Sequence, residues 1–368
     1  MQQLALSRKS VLLFCTLLTL LVFSAIYVVG GMQAFSRFQQ NNLANQEHCG
    51  GQSPVHICVL SPSAIFSAFY PSYTATQTPL FTITYNSSNP LTLLISVSIT
   101  DFTQVVTHTV SAESGMQSSS FIPKILPHAL LQLTNEQNSL LHVQVKDTKG
   151  QQYYVDDIAL QLHSRRLMQW LQVNHLQIAA WVTPDDPAIS DLIKHASTHL
   201  KDETPSPPLA LIGYDNATPK QVNAQVNAIY DSLRLDYHMK YVQASVPYSI
   251  GNQGNKDVTQ IIKLPSEVLA QQSGMCVELT LVLASAVEHI GLNAEIIIIP
   301  GHAFLGVADH QDNRHFQYWD AVAVNNNVAA DSSNIAADKM YAQNLKTHTV
   351  VDTILISDAR DARIGPML

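Results

Sequence analysis

One stretch of the sequence decides the fold, residues 260–320: QIIKLPSEVLAQQSGMCVELTLVLASAVEHIGLNAEIIIIPGHAFLGVADHQDNRHFQYWD. Ser273-Gly274-Met275 interrupts a short helix, and Cys276 begins a longer one that Gly291 ends as a C-terminal cap. A cysteine at the start of a helix lies near unsatisfied N–H groups and the positive end of the helix dipole. Both favour the thiolate, which is the nucleophilic form, so Cys276 is the candidate nucleophile.

The segments after this helix predict an antiparallel hairpin. Ala294–Ile299 is a continuous apolar run, and His302–Ala308 and His315–Ala321 predict two strands joined by a six-residue turn. A symmetric pairing would put His302 and Asp320 on opposite faces. We therefore predict a register shifted by one residue, with His302 opposite Asp320, so that both side chains share one face.

Three short motifs in this stretch carry a family resemblance. Gly274-Met275-Cys276, Pro300-Gly301-His302 and Tyr318-Trp319-Asp320 together resemble the transglutaminase-like superfamily of papain-type folds. The resemblance covers roughly residues 180–365 and implies a nucleophile helix packed on an antiparallel sheet. It also implies that Cys276 is the nucleophile, His302 the general base and later acid, and Asp320 the group that orients His302.

The sequence departs from the crosslinking members of that superfamily. Met275 and Val277 flank the cysteine where those enzymes have Gln and Trp, and nothing resembles their calcium sites. Many relatives carry Asp two residues after the cysteine, whereas this chain has Glu278, which we interpret as a first-turn carboxylate.

The oxyanion donor is less well defined by the sequence. In papain-type sites it is a Gln side chain together with the N–H of the cysteine, and the candidates are Gln260, Gln271 and Gln272, of which Gln260 is preferred. The turn between the last two strands also holds four potential metal ligands, Asp309, His310, Asp312 and His315. A solvated loop is the favoured interpretation, because no ligand pair has a defined partner elsewhere. We predict no metal and no cofactor.

Residues 54–163 have the pattern of a β-rich module. Phe81–Tyr85 alternates apolar and polar residues, Asn86–Pro90 is rich in turn formers, and Leu91–Thr100 resumes with strand formers. Short strands at this spacing suggest an immunoglobulin-like β-sandwich that serves as a spacer or partner-binding module. With residues 164–368 as the transglutaminase-like domain, the predicted fold class is α+β.

The N-terminal residues predict a membrane anchor. Ser10–Gly31 contains no charge, and as a helix it would span about 33 Å at ~1.5 Å per residue. We predict a cytoplasmic stub and uncleaved transmembrane helix over residues 1–31 and a polar spacer over 32–53, with the rest of the chain outside the cytoplasm. Cys49 and Cys58 flank the start of the β-rich module and either form a disulfide or remain two thiols.

Composition and motifs together define the expected function. The chain has 20 Lys and Arg against 28 Asp and Glu, a net charge of −8, which argues against nucleic acid as a partner. We expect a membrane-anchored, extracytoplasmic, thiol-dependent hydrolase or acyltransferase that attacks an amide or peptide through a thioester on Cys276. Hydrolysis is slightly favoured because nothing marks an amine-binding site, and the substrate would be a protein or a peptide, such as a cell-wall peptide. The alternative is a non-catalytic surface-binding or adhesion module that retains the fold.

Overall fold

The computed structural model describes residues 45–200, 210–243 and 259–367, which form an α+β structure. The strands are β1 Asn45–Gly50, β2 Val55–Pro62, β3 Ala64–Phe66, β4 Phe81–Ser87, β5 Leu91–Ile99, β6 Val106–Ala112, β7 Gln117–Phe121, β8 Gln137–Asp147, β9 Gln152–His163, β10 Leu167–Gln169, β11 Lys240–Tyr241, β12 Thr259–Ile261, β13 Ser273–Gly274, β14 Ala294–Ile299, β15 His302–Ala308, β16 Phe316–Trp319 and β17 Asp352–Leu355. The α-helices are α1 Tyr70–Thr76, α2 Ala129–Gln132, α3 Pro187–Ala196, α4 Pro219–Leu235, α5 Pro265–Gln271, α6 Cys276–His289, α7 Ala330–Lys346 and α8 Ile356–Asp361. Short 3-10 segments lie at Ser67–Phe69, Gln172–Trp181, Ser197–His199 and Ala321–Asn326.

The β-rich module consists of two sheets. One has the strand order β1-β2-β4-β7 and the other β3-β9-β8-β5-β6. Alternate residues are buried, as the sequence pattern predicts: Phe81 and Ile83 in β4, Ile95 and Val97 in β5. Both sheets contribute to one buried apolar cluster, which continues into the second half of the chain through residues such as Trp170.

The module differs from the prediction at its N-terminal edge. Strand β1 lies inside the segment 32–53 that we predicted to be a polar spacer, and it pairs antiparallel with β2. This pairing sets Cys49 directly opposite Cys58, and a disulfide joins them with 4.1 Å between their Cα atoms. The disulfide was one of two alternatives that the sequence left open. A second difference is β3, which runs parallel to β9.

The second half of the chain is built on a four-stranded antiparallel sheet of order β16-β15-β14-β17. Helix α6 packs against β14 and β15, and its residues from Cys276 to Val287 are all buried because apolar side chains occur all around the helix. Helix α7 covers the other face of the sheet, where Ile297, Phe304 and Tyr318 form a smaller apolar cluster. The predicted helix on an antiparallel sheet is therefore present.

The register of the hairpin differs from the predicted one. The structure pairs Leu305 with Trp319 and Ala308 with Phe316, so Asp320 follows the last paired residue and lies across from Phe304, not from His302. The physical reason is the connection, which runs over residues 309–315 and is closed by the N–H of Asp309 donating to the carbonyl of His315. Residues 302 and 304 point to the same face of their strand, so His302 and Asp320 still share a face, as diagonal neighbours.

The predicted membrane span is not found among the residues that the structure describes. Among residues 45–200, 210–243 and 259–367, no helix is both long and apolar enough to cross a bilayer. The two longest, α4 and α7, have 17 residues each and carry charged side chains, whereas a span needs about 20 predominantly apolar residues. This corrects our prediction of a single-pass, membrane-anchored protein. The segment on which it was placed, Ser10–Gly31, lies outside the described residues.

Candidate active site

Cys276 is the first residue of α6 and, among the described residues, the cysteine that lies outside the disulfide, with 2% of its surface exposed. Gln272 ends α5 in the left-handed conformation, and Gly274 then pairs with Tyr241 in a two-residue parallel ladder. A Cβ at Gly274 would lie 3.0 Å from Val268 Cγ1, which is tighter than most contacts of a Cβ atom. The glycine therefore lets α5 come close to the start of the helix that carries the cysteine.

Glu278 holds the backbone immediately before Cys276. Its buried carboxylate accepts the N–H of Met275 at 3.0 Å and that of Lys263 at 2.8 Å, and the ammonium of Lys263 lies 3.5 Å away. Burial raises the pKa of Glu278, and these hydrogen bonds and the lysine charge oppose that rise. The first-turn carboxylate predicted from the sequence thus fixes the N-cap of α6.

His302 contacts both of the other predicted site residues, Asp320 and Cys276. Its Nε2 lies 3.1 Å from Oδ2 of Asp320, within ion-pair distance. The side chain of His302 also hydrogen-bonds that of Cys276. Burial alone would lower the pKa of His302, but its interactions with Asp320 and Cys276 outweigh burial and raise the pKa to about 10. The ring is therefore protonated at neutral pH beside the sulfur.

Asp320 is oriented by its own hydrogen bonds. Its Oδ1 accepts the N–H of Val322 at 3.0 Å and so caps the 3-10 segment that follows. Its backbone N–H donates to Oγ of Ser333 in α7, and that hydroxyl donates to the backbone carbonyl of Asp320, both at 3.0 Å. These contacts leave Oδ2 turned toward His302.

The structure separates the three candidates for the oxyanion donor. Gln260 lies in β12 and is buried; its Nε2 donates to Sδ of Met275, the neighbour of Cys276, at 3.0 Å. Gln271 and Gln272 are exposed at the end of α5. Gln260 is thus the candidate that lies beside Met275, and its role as oxyanion donor stays a prediction.

Two aromatic residues near the site were missed by the sequence reasoning. Trp170 donates its Nε1–H to Oε1 of Gln260 at 2.9 Å. Tyr241 is half-buried; burial and then the charges of Cys276 and Asp320 raise its pKa. Neither had a sequence signal, because both reach the site through ladders of only two or three residues.

The four acidic and histidine residues of the turn at 309–315 are not grouped as ligands. Within the part of the chain that the structure describes, the one group of three with ligand atoms close enough for a metal is Cys49, His56 and Cys58. Both sulfurs of that group belong to the disulfide.

Two surface cavities lie away from Cys276. One of about 500 Å³ lies on the β-rich module along β8 and β9, and one of about 250 Å³ lies between α4 and α7. Neither is lined by the residues described above, so the site is defined by the contacts of sulfur, imidazole and carboxylate and not by cavity size.

No family model, no curated protein and no solved structure matches this chain. The likeness to the transglutaminase-like superfamily therefore stays a prediction. The function has to be argued from the site itself.

Proposed function

We propose that this protein is a cysteine hydrolase that cleaves an amide or peptide bond through a thioester on Cys276. The observation that carries the proposal is a single imidazole, His302, that hydrogen-bonds the cysteine side chain and lies 3.1 Å from a carboxylate of Asp320. A nucleophile, a base in contact with it, and a third group that orients the base are what this chemistry requires.

The reaction begins with the proton of the thiol on His302. Because Nε2 faces Asp320, we assign the exchange with Cys276 to Nδ1. The thiolate attacks the substrate carbonyl, and a C–S bond forms as the carbonyl oxygen takes up negative charge. The imidazolium then donates its proton to the nitrogen, the C–N bond breaks and the amine leaves. Because the pKa of His302 is about 10, the imidazole carries a proton at neutral pH that it can donate to the leaving nitrogen.

The negative oxygen needs donors that are already in place. The backbone N–H of Cys276, at the start of α6, is one, and Nε2 of Gln260 is the other in this proposal. Water, deprotonated by His302, then attacks the thioester; the C–S bond breaks, the acid is released, and the thiolate of Cys276 is restored beside protonated His302. An amine acceptor would give acyl transfer by the same steps, so the two outcomes differ only in what enters after the amine leaves.

The thiolate–imidazolium pair is tested by alkylation with iodoacetamide at pH 7. We expect His302→Ala to react about 100-fold more slowly than the wild type, because the thiolate loses the positive charge beside it. His142→Ala is the matched control: His142 also contacts an aspartate, Asp157 at 2.7 Å, but lies on the surface of the β-rich module. Equal alkylation rates for the wild type and His302→Ala would contradict the proposal and favour the non-catalytic binding module.

A second experiment identifies the substrate. Incubation with peptide mixtures at low pH, followed by rapid quenching and mass spectrometry of the peptide that contains Cys276, should show the mass of the bound acyl group. An adduct on Cys49 or Cys58 instead would contradict the assignment of the nucleophile.

A further inference from the structure

The side chain of Gln260 lies between a hydrogen-bond donor, Trp170, and a hydrogen-bond acceptor, Met275. On one side the indole N–H of Trp170 lies 2.9 Å from Oε1, and on the other Nε2 lies 3.0 Å from the sulfur of Met275. Trp170 and Gln260 are 5% and 7% exposed, so both contacts are shielded from water. Strands β10 and β12, paired through Met168 and Gln260, bring the two residues together.

This arrangement fixes which end of the amide faces Met275, the residue before Cys276. An indole N–H can only donate, so the atom of Gln260 that faces Trp170 must be the carbonyl oxygen. The NH₂ group is then directed toward Met275 and the start of α6, where Cys276 lies. Without the indole N–H, nothing in this contact would distinguish the amide from its flipped form.

The indole of Trp170 packs against His175, which in turn contacts Asp352. The ring of His175 packs edge-on against that of Trp170 with 5.8 Å between their centroids, and Nδ1 of His175 lies 2.8 Å from a carboxylate oxygen of Asp352. Asp352 belongs to β17, which pairs with β14 in the sheet that carries His302. The position of the indole is therefore tied to the same sheet as the proposed base.

We propose that Trp170 is a positioning residue that orients Gln260 as the side-chain donor to the oxyanion formed on acylation of Cys276. The proposal rests on the proposed function, since it assumes attack of Cys276 on a carbonyl. In this role Trp170 acts through the amide of Gln260.

Two reagents separate this role from a structural one. p-Nitrophenyl acetate acylates a thiolate through a tetrahedral oxyanion and releases p-nitrophenolate, whereas iodoacetamide alkylates it by displacement of iodide, with no carbonyl oxyanion at the reacting carbon. A residue that acts through the oxyanion donor should change the first rate and not the second.

The test measures both rates in the full-length chain for the wild type, Trp170→Phe and Trp181→Phe. Trp181 is the matched control, since it is also buried and donates its Nε1–H, but to the backbone carbonyl of Ile262 at 3.1 Å. We expect Trp170→Phe to lower acylation about tenfold and leave alkylation within about twofold. Trp181→Phe should leave the ratio of the two rates unchanged.

Two further variants make the result decisive. Gln260→Ala should lower acylation about 100-fold, and adding Trp170→Phe to it should lower the rate no further, because both changes remove the same donor. If Trp170→Phe does not fold, benzothienylalanine at position 170 replaces the indole N–H by sulfur at nearly the same shape, and the same ratio is measured.

The possible outcomes distinguish the two proposals. Loss of acylation alone supports the role of Trp170. Unchanged acylation in Trp170→Phe or Gln260→Ala, or an equal fall of both rates, overturns it while leaving the proposed function intact. A wild type that forms no acetyl-enzyme contradicts the proposed function itself, and the role of Trp170 falls with it.

Discussion

Two histidine–aspartate pairs in this molecule have similar local geometry and very different surroundings. His142 and Asp157 lie directly opposite each other on β8 and β9 with 2.7 Å between their polar atoms, and His302 and Asp320 lie 3.1 Å apart on the second sheet. The first pair is 41% and 56% exposed, the second 21% each. An exposed pair gains little from its charges because water screens them. The His302 ring, in contrast, also contacts a cysteine.

The cysteines of the two halves also differ in their surroundings. The β-rich module contains two cysteines, but Cys49 and Cys58 are bonded to each other across β1 and β2. The second half of the chain has one, and it is reduced at the start of a helix. What distinguishes the candidate site is thus that a histidine–aspartate pair contacts a reduced cysteine, whereas His142–Asp157 and Cys49–Cys58 show the pair and the cysteines apart from each other.

The largest expected effect comes from removing the sulfur of Cys276. Cys276→Ser should abolish the release of p-nitrophenolate from p-nitrophenyl acetate, by at least about 1,000-fold, because a serine hydroxyl is a far weaker nucleophile than a thiolate. The free energy of unfolding in urea should change little, since the two side chains are close in size. Continued release of p-nitrophenolate by Cys276→Ser would show that another residue is acylated and would contradict the assignment of Cys276 as the nucleophile.

A smaller effect is expected from the two aspartates. His302 is protonated below its pKa of about 10, and the negative charge of Asp320 favours that protonated form. Asp320→Asn removes the charge, so the pKa of His302 should fall by at least about one unit. Titration of the histidine ring signals by NMR, with His302→Gln for assignment, measures the shift.

Asp157→Asn is the matched substitution for this titration and should leave the pKa of His302 where it is, because Asp157 lies on the other sheet with His142. An unchanged pKa in Asp320→Asn would contradict the role of Asp320 as the orienting group.

The smallest effect on reactivity is expected from the disulfide. Replacing Cys49 and Cys58 together by serine should lower the free energy of unfolding by about 2–3 kcal/mol, because the unfolded chain is no longer cross-linked. The rate at which iodoacetamide alkylates Cys276 should not change. A slower rate would show that the disulfide of the β-rich module supports the site.

Much of the candidate site could be predicted from the sequence because its signals are local. A break before Cys276, an apolar helical pattern after it and two strand patterns beyond it are all set within a few residues. The register of the hairpin could not be predicted in the same way. It depends on whether His315 joins the strand or the turn, and a single hydrogen bond from Asp309 to its carbonyl places it in the turn.

The sequence by itself determined the order of α6, β14, β15 and β16, the residue that starts α6 and the positions of His302 and Asp320 beyond it, because periodicity and turn chemistry act over short distances. Only the tertiary structure decided which glutamine lies beside Met275, which tryptophan hydrogen-bonds its amide, and that Tyr241 lies close to Cys276 and Asp320. These contacts join residues tens of positions apart through ladders of two or three pairs, and no local pattern encodes such a pairing. The site is thus assembled from a local signal for the nucleophile and long-range packing for everything that orients it.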